Sequence, residues 1–149
     1  MKNTAFSLIL VLFVSACSHK TESSVTAAIK GKAVEFSPEV RAHVVQKSVD
    51  LLSSCIYTDA KPKWGTPGEP ESMADAQKES HLRLVFSSPS KVEVPVEKVT
   101  VQVREMVITL PLMTGGIWVR TENGIIYFAK YDYTIEQELQ KLLKEAQMP

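Results

Sequence analysis

From residue 81 onward the apolar residues recur at every second position, and this change of period constrains the chain more than any other feature. A period of two places alternate side chains on one face of a strand. In "HLRLVFS", 81–87, Leu82, Leu84 and Phe86 share a face. Ser88-Pro89-Ser90 is expected to turn the chain. "KVEVPVEKV", 91–99, continues through Val92, Val94 and Val96, but Pro95 cannot donate to a ladder, which marks an edge. Val99, Val101 and Val103 hold one phase, then Met106, Ile108 and Leu110 the other. The slip predicts a bulge or tight turn near Arg104 and Glu105. "MTGG", 113–116, is expected to turn the chain again.

Asn123 and Gly124 lie between two alternating runs, the signature of a type I′ hairpin. That turn would set Glu122 opposite Ile125, Arg120 opposite Tyr127, Val119 opposite Phe128 and Trp118 opposite Ala129. Ile117, Val119, Ile126 and Phe128 would then face the core. Trp118, Arg120, Tyr127 and Tyr131 would form the other face. An arginine among aromatic rings can bind a flat or anionic partner. Alternatively, a helix or loop covers these rings as part of the core.

Before residue 81 the periodicity is helical. Residues 37–57 carry Val40, Val44, Val45, Val49, Leu51, Leu52, Cys55 and Ile56 on one broad side. Ser37 suits the cap, Pro38 the first position and Glu39 the positive end of the dipole. Cys55 falls on the apolar side as a buried thiol, and His43 on the polar side. Residues 134–147 form a second helix with an Ile135, Leu139, Leu142, Leu143, Ala146 stripe and a Thr134–Gln137 capping box. Between helix and strands, the Pro- and Gly-punctuated stretch 58–80 is a long loop, with a short helix within 71–79. Trp64 is its one large anchor, either an interaction hot spot or a lid over the domain's own core.

The order implies an α+β single domain over 37–149. Its sheet is an antiparallel meander of four to six strands, with an N-terminal amphipathic helix and a C-terminal helix packed on it. Seventeen basic and seventeen acidic residues give no charge excess that would point to nucleic acid.

The N-terminus places the chain. Lys2 precedes the apolar stretch 5–13, which is shorter than the roughly 20 residues of a spanning helix and has the form of an export signal over 1–16. "VSAC", 14–17, resembles the lipobox of bacterial lipoproteins. The resemblance implies cleavage before Cys17, lipidation of its thiol and new amine, and a membrane anchor of more than one chain. Ser18 in place of Asp resembles the pattern sorted to the outer membrane, facing the periplasm. Residues 17–36 are then the lipidated cysteine and a tether, with 25–36 ambiguous between tether and first strand. With Cys17 acylated, Cys55 has no intramolecular disulfide partner.

The sequence contains no CxxC or HxxH spacing, no GxSxG, GxGxxG or P-loop, so no metal, cofactor or catalytic residue is expected. The expected function is a non-enzymatic, membrane-anchored module that binds an envelope protein as an accessory, assembly or inhibitor-like factor. The alternative is a lipid- or peptidoglycan-fragment-binding lipoprotein. A small hydrolase, with His43 or His81 as base, comes third.

Overall fold

The computed structural model describes residues 23–59, 72–110 and 116–147. In chain order the elements are β1 (Ser23–Ile29), β2 (Lys32–Val34), α1 (Pro38–Ser53), β3 (Tyr57–Asp59), α2 (Met73–Ala76), β4 (His81–Val94), β5 (Val99–Thr109), β6 (Ile117–Thr121), β7 (Gly124–Ala129) and α3 (Tyr133–Glu145). The strands form one antiparallel sheet in the order β2-β1-β4-β5-β6-β7-β3. β4 to β7 are the meander the alternation implies. β2 and β3 are three-residue strands at the two edges. The class is α+β, with the N- and C-terminal helices as expected.

α1 and α3 cover one face. Ser37 caps α1 by accepting from the Val40 amide, and Val44, Leu51, Leu52 and Cys55 are fully buried. They meet Leu82 and Leu84 of β4, Met106 and Ile108 of β5, and Leu139 and Leu143 of α3. Burial in this apolar setting pushes the Cys55 thiol up to about 12, so it stays protonated and inert. Ile56 is exposed, because α1 ends at Ser53 and the chain has left the helix before it. α3 is capped by Asp132, not Thr134. The Asp132 carboxylate accepts from the Thr134 and Ile135 amides at 2.7 and 3.3 Å, and a charged acceptor at the positive end of the helix suits that position.

Residues 23–34 are strand rather than tether. Val25 and Ala27 are buried, Ser23 pairs with Phe86, and a turn at Lys30 and Gly31, both at positive φ, folds β2 back on β1. The folded unit therefore begins before residue 37.

Two expectations about β4 are corrected. Ser88-Pro89-Ser90 does not reverse the chain. β4 runs on to Val94, and four residues, 86–89, stand against the single Arg104 of β5. The phase slip in β5 lies at this irregularity, and the sheet bends there. Pro95 does not lie within a strand. It opens the β4–β5 turn, which the Lys98 amide closes on the Pro95 carbonyl.

The β6–β7 register also differs from expectation. Trp118 opposes Tyr127, Arg120 opposes Ile125 and Thr121 opposes Gly124. The loop is Glu122–Asn123, and Gly124, at φ +131, follows it. Thr121 holds this turn, its hydroxyl accepting from the Asn123 amide and donating to the Gly124 carbonyl. The shift is by two residues in total, so each side chain of β6 and β7 keeps its expected face.

Candidate binding surface

On the sheet face away from α1 and α3, the predicted aromatic patch is covered. Trp118 is 2% exposed and Tyr127 8%, with ring centroids 4.9 Å apart. Met73 and Ala76 of α2 pack on them, together with Val107. α2 lies within the stretch read as a long loop, and Ser72 caps it by accepting from the Asp75 amide. These rings are therefore core. Tyr131 belongs to the opposite side, against the α1–α3 core, where burial raises its phenol above the ordinary value. Of the expected patch, Arg120 alone is exposed among the described residues. Trp64 and Cys17 lie outside them.

Arg120 instead joins a charge cluster that periodicity did not reveal. Glu105, 8% exposed, accepts from Arg83 Nε at 2.7 Å and from Arg120 Nε at 2.9 Å. Arg120 Nη2 also reaches the Met73 sulfur at 3.7 Å. Burial alone would raise the Glu105 carboxyl. Hydrogen bonds and charge from the two arginines outweigh it and hold the group below its ordinary value. Glu105 is thus a fixed anion that ties β4, β5 and β6 together, which suits it to structure rather than proton transfer. Alternation puts Arg83 on this face, but no local pattern links it to residue 105.

His43 and His81 do not meet. His43 is exposed on α1, whereas His81 shares the face of Arg83, with Nδ1 2.8 Å from the Glu79 carbonyl oxygen. The sheet lies between them.

The open feature is a step in the sheet. β6 pairs with β5 only from Glu105 to Ile108, whereas β4 pairs with β5 down to Val99. Residues 99–103 therefore project past the β6–β7 hairpin with no described strand on that side. The corner is a notch of about 320 Å³. Val99, Val101, Ile126 and Phe128 form its apolar lining, and Thr100, Gln102 and the hairpin tip 121–123, with the Glu122 carboxylate, its polar rim. An Arg104–Glu122 ion pair holds the hairpin tip to β5.

The direction of the backbone groups follows from the opposite edge. Ser53 of α1 donates its hydroxyl to the Glu93 carbonyl at 2.7 Å, so Glu93 points away from β5. Glu93 stands opposite Thr100. In an antiparallel pair both residues point inward or both outward. Thr100, and Gln102 two residues on, therefore present N–H and C=O to the open side. Exposed strand edges are usually guarded by charge, proline or a bulge. Val99-Thr100-Val101-Gln102-Val103 has none of these. Sequence reasoning missed this edge, because strand composition does not say where a neighbouring strand stops.

Comparison with protein-family models, with curated proteins and with solved structures gave no match.

Proposed function

We propose that this chain is a lipoprotein anchored through Cys17 in the bacterial envelope, at the outer membrane facing the periplasm, and that its domain binds protein chains without catalysing a reaction. "VSAC" at 14–17 supports the anchor. The observation that carries the binding role is the uncharged β5 edge, with the outward backbone groups of Thr100 and Gln102 beside an apolar notch. Such an edge recognises backbone through hydrogen bonds and side chains through the adjoining apolar floor. A photoreactive residue in place of Thr100, in cells, is expected to capture a protein, and one in place of the exposed Thr26 of β1 is not. No capture at Thr100 would contradict the reading. Labelled palmitate should enter the wild type and not Cys17→Ser.

A second reading rests on the notch itself, whose volume lies at the low end for small-ligand sites. A lipid or peptidoglycan fragment bound there would raise the melting temperature of the purified protein.

A further inference from the structure

We propose that the chain docked on the β5 edge is a second copy of this protein, paired antiparallel about a two-fold axis at Thr100. The proposal deepens the reading above and rests on the edge being a docking surface. Three observations select this occupant.

The first is charge. A two-fold axis at Thr100 sets Thr100 against itself and Val99 against Val101 of the other copy. Residues 99–103 carry no charge, so self-pairing opposes no like charges. The outward N–H and C=O of Thr100 then meet their counterparts, as an antiparallel ladder requires.

The second is the placement of exposed apolar side chains. Val96, 61% exposed, sits in the β4–β5 turn, and Val99, 42% exposed, follows that turn. In the two-fold arrangement the turn of each copy runs alongside Gln102 and Val103 of the other and ends against the β6–β7 tip, which takes the place beside Arg104. Val96 of one copy then lies over the notch floored by Ile126 and Phe128 of the other. One arrangement covers the edge, the notch and both valines, twice over.

The third is closure. On the opposite side of the hairpin arm, Ser53 at the end of α1 takes the Glu93 carbonyl. A strand added on that side would have to displace this bond, whereas the β5 side has no such bond at Thr100 or Gln102 among the described residues. The contact is isologous and stops at two copies, where a head-to-tail contact would run on into a filament. The strip is short, so the dimer is concentration-dependent in solution and favoured when both copies share a membrane surface.

The test is sedimentation equilibrium of the purified full chain. Thr100 is exposed and stands across from Glu93, so Thr100→Lys is compatible with the fold. It sets two lysines against each other at the two-fold axis. The wild type is expected to reach a monomer–dimer equilibrium. Thr100→Lys and Thr100→Glu alone should each associate about tenfold more weakly or worse. Mixed in equal amounts, the two variants should dimerise again. A wild type that is monomeric at every concentration overturns the proposal, as does a dimer untouched by Thr100→Lys. If a photoreactive residue at position 100 captures a different protein while the chain stays monomeric, the edge is a docking surface for another partner. If it captures nothing, the edge is not a docking surface at all.

Discussion

The β4–β5 hairpin has two halves that the fold treats differently. Its root, His81–Val85 against Glu105–Thr109, has β1 on one side and β6 on the other. It is covered on both faces, by the α1–α3 core and by the α2 cluster with the Glu105 ion pairs. Its outer half, Ser90–Val94 against Val99–Val103, has neither neighbour. It buries Val92, Val94, Val101 and Val103 on one face and leaves Thr100 and Gln102 exposed on the other. The irregularity at 86–89 and Arg104 divides the two. One pair of strands thus supplies the centre of the domain and an arm whose β5 edge has no neighbouring strand among the described residues. Stability should reside in the root and association in the arm.

Changes in the root should cost most. Leu84→Ala removes a fully buried side chain facing α1 and should lower unfolding free energy by about 3 kcal/mol in denaturant titration. Glu105→Gln leaves two arginines around an amide and should cost about 2 kcal/mol. That cost depends on pH. The folded carboxyl titrates below its ordinary value of 4.5, so its contribution is complete above that pH and disappears as the pH falls through the depressed value. Wild type and Glu105→Gln should therefore converge in acid. A difference that persists there would assign the loss to packing. Ser53→Ala, at the guarded edge of the arm, should cost about 1 kcal/mol. Thr100→Lys, at the open edge, should change stability by less than about 0.5 kcal/mol while weakening association about tenfold or more. A large loss of stability from Thr100→Lys would erase the distinction between root and arm.

Much of the fold was legible because side-chain period reports the face a residue occupies. The valines of β5, the apolar side of α1 and both faces of the β6–β7 hairpin were placed by period alone. Features set by partners distant in sequence were not. β1 has small residues at alternate positions and shows its strand character only against β4. Ser88-Pro89-Ser90 has turn chemistry, yet pairing on both sides of it keeps the strand continuous. Asn123–Gly124 marked the hairpin, but the Thr121 hydroxyl placed the turn one residue earlier. Trp118 and Tyr127 fell on the expected face. Their burial depends on α2, more than forty residues earlier in the chain. The open edge was hidden for the same reason, since it exists only because β6 stops where β5 continues.

The most direct test of that edge is residue-resolved amide hydrogen exchange, in dilute and in concentrated protein. Thr100 and Gln102 amides are predicted to exchange far faster than those of 105–108 when dilute, and to become protected as the chains associate. Protection equal to that of 105–108 in the dilute protein would mean that the arm already has a neighbour, and the account of an open docking edge would be wrong.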